Sequence, residues 1–183
     1  MKKASQEGFT YIEVMCAMVV LLVGILAQLS AICFSVLRQN EAEKQNMARQ
    51  IASSTLESIF AARDLAQPNG ISSWNTINND SVNKNGIFVT GWYPVRRSAG
   101  ADGIQGTKDD ACAADTTCQS GGYTNNSEII PGYERQIIIT DIQETGNAVV
   151  KKRQLEIKIR YFVGQAQREQ SFTTIISDLP FYK

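Results

Sequence analysis

Three groups of residues in this 183-residue chain have the type and spacing to do chemistry. The first is Glu13, at the edge of a long apolar run. The stretch Gly8-Phe9-Thr10-Tyr11-Ile12-Glu13 separates that run from a short charged leader, Met1–Glu7. A charge costs about 2.5–3.5 kcal/mol at the centre of a membrane helix, so an ionisable residue kept at its border marks a functional position. The second group is Asp102, Asp109 and Asp110, interleaved with Gly100, Gly103 and Gly106. The third is Cys112 and Cys118, in a polar stretch just beyond. The chain has no His, which removes the commonest general base and the commonest metal ligand. It also lacks a G-x-S-x-G stretch, a P-loop and a Cys placed beside a base, so it is not expected to be an enzyme.

The elements that must position these residues follow from patterning. Val14–Leu37 carries no charge and is about long enough to cross a bilayer as a helix. Cys16 and Cys33 lie within it and read as small lipid-facing or helix-facing residues. From Phe9 to Asp64 there is no Pro, and Gly24 is the only Gly. Strong helix formers follow Arg38, and apolar residues recur at Ala48, Ile51/Ala52, Leu56 and Ile59/Phe60. The whole stretch predicts one helix of roughly 80 Å, lipid-compatible in its first half and amphipathic in its second. Gln67-Pro68-Asn69-Gly70 is its stop signal.

Residues 70–132 are rich in turn formers, with one strand candidate from Ile87 to Tyr93. Three strands are expected after it: Tyr133–Ile142, Val149–Val163 with Leu155, Ile157, Ile159 and Tyr161 in alternation, and Ser171–Ile176. A sheet with one apolar face needs a cover, and the Ala48–Phe60 stripe supplies one. The predicted class is α+β, a long N-terminal helix packed on a C-terminal antiparallel sheet. The expected divisions are a leader (1–8), a transmembrane half-helix (9–37), an amphipathic half-helix (38–66) and a globular head (67–183). Positive and negative side chains balance at 18 each, so no nucleic-acid surface is expected. Arg96-Arg97 and Lys151-Lys152-Arg153 read as solvated basic clusters.

The leader, the Gly8-Phe9 junction, Glu13 and the charge-free span together resemble the N-terminus of type IV pilins and of the pseudopilins of type II secretion. The likeness is specific over the leader and helix and general over the helix-plus-sheet layout. It implies the type IV pilin fold, cleavage by a prepilin peptidase between Gly8 and Phe9, and N-methylation of Phe9. Glu7 departs from the usual basic leader. Cleavage would leave a cationic amine on Phe9, one helical turn from Glu13. In a stack of subunits, Glu13 of one could pair with the amine of its neighbour, each compensating a charge held in apolar surroundings. The wording from Phe9 to Leu26, and Gln50-Ile51-Ala52 with Leu56-Glu57, is similar to the PilV class of minor pilins. The I-type minor pseudopilin is the alternative. Such a protein would be a fibre or tip subunit that primes assembly, with roles in adhesion or DNA uptake. Its partners would be major and minor pilins, the peptidase, an inner-membrane assembly platform and, before assembly, membrane lipid. Lys2 and Lys3 place the leader in the cytoplasm and the head in the periplasm, then at the cell surface.

No cofactor is required by this reading, and Ca²⁺ is the candidate ion. Asp102, Asp109 and Asp110 form an oxygen-rich, Gly-turned loop of the kind that suits Ca²⁺. Their spacing is not that of an EF-hand, and a solvated turn is the alternative. The loop is similar to DGxxGTxDD loops of some calcium-dependent surface proteins and to the calcium loop of certain pseudopilins. An oxidising periplasm permits a Cys112–Cys118 disulfide closing a short loop; two free thiols are the alternative.

Overall fold

A computed structural model of the chain describes residues 8, 10–64, 74–82, 85–111, 127–143 and 150–178. Among the described residues there are one α-helix, α1 (Tyr11–Asp64), and four strands: β1 (Tyr93–Arg96), β2 (Ile129–Ile142), β3 (Lys152–Val163) and β4 (Ala166–Ser177). Short 3-10 turns lie at Trp74–Thr76 and Lys108–Ala111. The chain divides into two compact units, Met1–Glu43 and Lys44–Lys183.

In the first unit, α1 begins where the carbonyl of Thr10 accepts from the amides of Glu13 (3.1 Å) and Val14 (3.3 Å). Glu13 thus falls in the first turn, where unpaired amides favour a carboxylate. Every residue from Tyr11 to Asn40 is exposed. One helix near the N-terminus is therefore long and apolar enough to cross a membrane.

In the second unit, the same helix buries Ala48, Ile51, Ala52, Thr55, Ile59 and Ala62. These steps of three and four residues are one face of an α-helix, and they meet a four-stranded antiparallel sheet in the order β1-β2-β3-β4. The core joins Ala48, Ile51, Ala52 and Ile59 to Val95, Ile137, Ile139, Leu155, Ile157, Ile159, Tyr161 and Ile176. Phe88 and Ile77, both wholly buried, complete it. Each large aliphatic side chain placed there contributes about 1.5–3 kcal/mol. The α+β architecture with an antiparallel sheet is as expected, and the alternation along β3 falls in the expected phase.

All four strands differ in their bounds from expectation: β4 spans Ala166–Ser177 where Ser171–Ile176 was expected, and β3 begins at Lys152 where Val149 was expected. The first strand lies at Tyr93–Arg96 and not at 87–93, because Gly91 has φ +91° and interrupts extended chain. Phe88 makes only isolated bridges, to Asn79 and Thr107. β2 starts at Ile129, four residues before the expected Tyr133, and includes Pro131 and Gly132. The β2–β3 ladder begins only at Tyr133↔Tyr161, so Pro131 interrupts no pairing there. On the other side a register shift between Pro94 and Arg96 absorbs the irregular residues. Gly164 (φ +61°) and Gln165 form a two-residue turn from Val163 to Ala166, the tight hairpin that a positive φ allows.

Candidate functional site

The first candidate region is the N-terminal motif. Gly8 and Glu13 are both exposed. A Cβ at Gly8 would meet no atom within 4 Å, so its surroundings place no steric demand for glycine. Phe9 lies outside the described residues, as do Cys112 and Cys118. Glu13 makes no ion pair among the described residues, and its neighbours along the helix are apolar.

The second region is the loop Gly100–Ala111, in the unit that holds the sheet. Its carboxylates organise the backbone. Asp109 Oδ2 accepts from the amides of Ala101 (2.9 Å) and Asp102 (3.0 Å), and its other oxygen accepts from the Thr107 hydroxyl. Asp102 Oδ1 accepts from the Ile104 amide at 2.7 Å. Asp110 Oδ2 accepts from the Gly106 amide at 2.7 Å. Gly100 has φ +66°, and a Cβ there would collide with the Asp109 carboxylate. The sequence grouped these residues correctly as a turn cluster. The structure adds that the aspartates are the acceptors that close the turns.

One aspartate goes deeper. Asp110 is 2% exposed, and its Oδ2 lies 2.7 Å from Arg135 Nη2 on β2, itself 3% exposed. Arg135 Nη1 donates to Thr55 Oγ1 of α1 (3.0 Å) and to Gln105 Oε1 of the loop (3.2 Å). Thr55 Oγ1 in turn donates to the Ile51 carbonyl at 2.7 Å. One guanidinium therefore ties helix, loop and strand. Ser54 Oγ donates to Gln105 Oε1 (3.1 Å), and the Gln105 amide donates to Ser58 Oγ (3.2 Å), so the loop is laced to the helix along two turns. Burial raises the Asp110 pKa, and Arg135 opposes that rise. Burial likewise lowers the pKa of Arg135. Both tendencies favour the neutral forms, and the 2.7 Å contact between the two groups opposes them.

Asp102 behaves differently. Loss of solvent around its carboxyl, and then the nearby charges of Asp109 and Asp110, push its pKa up to about 6 against the pull of the Ile104 amide. The residue remains exposed overall, so solvent screens that shift. The donor set is all oxygen, and Asp110 Oδ1 is buried with no hydrogen-bond partner. Yet among the described residues no three His, Cys, Asp or Glu side chains are grouped to hold a metal ion. Arg135 already supplies a cation at Asp110.

Sequence reasoning missed Arg135, Thr55 and Gln105, and it misplaced Arg153. Arg153 was expected in a solvated cluster but is 4% exposed. It pairs with Asp141 (2.6 Å), donates to the carbonyls of Ile77 (2.8 Å) and Trp74, and stacks over the Trp74 ring at 4.5 Å. A signal for both arginines was present. Arg135 is in phase with inward Ile137 and Ile139, and Arg153 is in phase with inward Leu155 and Ile157. A long cation at an inward strand position requires a buried partner. Asn79 is a third such tie: its side-chain amide donates to the Ile137 carbonyl (2.9 Å) and accepts from the Ile139 amide (2.8 Å).

No protein-family profile, curated protein sequence or solved structure matches this chain.

Proposed function

We propose that the chain is a membrane-anchored assembly subunit of the type IV pilin class, a minor pilin that enters a fibre or its tip complex. One observation carries the reading: α1 is a single helix whose first half exposes a mainly apolar surface, free of charge from Val14 to Leu37, with Glu13 in its opening turn, while its second half packs into the core against an antiparallel sheet. An apolar helix needs lipid or other helices around it, and a fibre core supplies the second after the first. Gly8 and Phe9 would be the processing site, and Glu13 would pair with the new Phe9 amine of an adjacent subunit. The head would face the periplasm and then the cell surface, with other pilins, the peptidase and an assembly platform as partners. The minor pseudopilin of a type II secretion system is the second reading, since the same helix and processing site serve it equally.

Mass spectrometry of the mature N-terminus tests the proposal: the expected species begins at N-methyl-Phe9 and is recovered in sheared surface fibres. An intact Met1–Gly8 leader in mature material overturns it. Glu13→Leu is expected to abolish incorporation while leaving membrane insertion intact, because the neighbour's amine would lose its buried counter-charge. Incorporation at the wild-type level removes the pairing role.

Ca²⁺ binding at the aspartate loop is a secondary part of the proposal. The orphaned Asp110 Oδ1 favours it, with Asp102, Asp109 and backbone carbonyls near Gln105 and Thr107 as the remaining oxygen ligands. Calorimetry with millimolar Ca²⁺ tests it; neither heat nor a thermal shift would remove the site.

A further inference from the structure

Two uncharged segments meet at the end of the head where the chain leaves it for the apolar run. One is the β3–β4 hairpin, Phe162–Gln167. The other is the start of β2, Ile129–Gly132. Tyr133↔Tyr161 is the last pair of the β2–β3 ladder, so both segments run past it to the same end of the sheet. Lys44 fixes the helix to that end. Its Nζ donates to the Phe162 carbonyl at 2.7 Å, and its own carbonyl accepts from the Tyr133 hydroxyl at 3.4 Å. Among the described residues beyond α1, the large apolar side chains left exposed are Val82, Ile129, Phe162 and Ile175, and two of these four lie here. The charges beside them are paired, Arg97 with Glu128 at 2.9 Å and Arg160 with Glu134 at 3.5 Å.

We propose that this end of the head docks on the lipid surface, with Phe162 and Ile129 among the headgroups. The inference rests on the membrane-anchored reading and adds a second point of contact to it. The tether selects lipid as the occupant. Lys44 follows Leu37, the last residue of the uncharged run, by seven residues, about 10 Å along a helix. Headgroups extend about 5–8 Å beyond the hydrocarbon on each side of a bilayer. So short a tether makes the contact effectively intramolecular, and a few side chains suffice to hold it. Entry of the two uncharged segments takes no unpaired charge out of water. Ile175 supplies the contrast. It lies on the same outer face of the sheet as Phe162 and is more exposed, at 60% against 44%. Its partner Gln154 stands eight residues along β3 from Phe162, about 26 Å. Indiscriminate apolar adhesion would favour Ile175, whereas docking by the tethered end favours Phe162.

The test adds one tryptophan at each position. Full-length Phe162→Trp and Ile175→Trp are reconstituted in phosphatidylcholine vesicles, with and without lipid brominated near the top of the acyl chain. Both keep Trp74 and Trp92, so each is read as a difference from wild type, with circular dichroism to verify the fold. Bromolipid is expected to quench the tryptophan added by Phe162→Trp at least about twofold more than the one added by Ile175→Trp. Ile129→Trp, from the other segment, is expected to behave as Phe162→Trp does, so the reading does not hang on one variant. Equal quenching at 162 and 175, or none at 162 and 129 in a chain that floats with the vesicles, overturns the docking and leaves the anchor standing. A chain that does not float with the vesicles overturns both. Emission from Phe162→Trp that shifts to the blue with protein concentration and ignores bromolipid assigns this end to a second copy, and the lipid proposal falls.

Discussion

The two halves of α1 have the same backbone and opposite surroundings. Residues 11–40 expose every side chain, and Leu21, Leu22 and Leu26 are each more than half exposed. Residues 48–62 press one stripe into a sheet, and Ile59 is wholly buried. From Val14 to Leu37 the first half carries no charge and is mainly apolar on all sides; the second is apolar on one. A helix with no polar face is fitted to a medium, whereas a helix with one apolar face is fitted to a particular partner surface. What holds the second half is packing and a few buried polar ties. What would hold the first lies outside the monomer.

The largest effect that sharpens this contrast comes from matched truncations. Ile157→Ala, at a wholly buried position under the helix, should destabilise the sheet-bearing unit by about 2–5 kcal/mol. Leu21→Ala should change its denaturant midpoint by no more than about 0.5 kcal/mol equivalent. Equal losses would mean that the two halves share one packing environment.

Arg135→Met comes next. It leaves the buried Asp110 uncompensated and should cost about 3–5 kcal/mol in the same denaturation measurement. Adding Asp110→Asn removes the stranded charge while keeping an acceptor for the Gly106 amide, and should recover a substantial part of that loss. No recovery would show that the tie works through shape and not through charge.

Gly100→Ala should cost about 1–2 kcal/mol, since its left-handed φ disfavours a Cβ and the Asp109 carboxylate occupies the space. A chain melting like wild type would show that the loop adds nothing to the unit's stability.

The smallest effect is in pH. The Asp102 pKa is raised on folding to about 6 from 3.8, so between those values the folded chain binds the extra proton. Stability therefore falls as pH rises through that window, and lowering pH from 7 to 5 should raise the melting temperature slightly. Asp102→Asn should remove that increment. The exposure of Asp102 keeps it small, and a melting temperature that falls between pH 7 and 5 in wild type but not in the variant would reverse the assignment.

Much of this architecture was legible in the residues. The absence of Pro between Phe9 and Asp64 gave the helix, the spacing of Ala48, Ile51, Ala52 and Ile59 gave its buried face, and the alternation from Leu155 to Tyr161 gave β3. These are local periodicities, read within one element. The strand at Tyr93–Arg96 was displaced because its pairing depends on a register shift opposite Pro131–Gly132, which no local pattern states. Arg153 was read by composition, as a cation for solvent, and Arg135 was not singled out, when their strand phase placed both inside. In the candidate site, the Asp and Gly cluster was visible as a turn, but its link to Thr55 and Arg135 was not. Those residues lie 25 to 80 positions apart from their partners.

By itself, the sequence determined the helix and its division into an all-apolar and a one-faced half, the sheet and its inward phase, and the position of Glu13 at the border of the apolar run. Each depends on residues within a few turns or pleats of one another, where side-chain direction is fixed by backbone geometry. Tertiary structure alone decided which aspartate is buried and which arginine meets it. Those outcomes depend on loops and strands brought together across the chain, and a buried charge acquires its meaning only from the partner that folding places beside it.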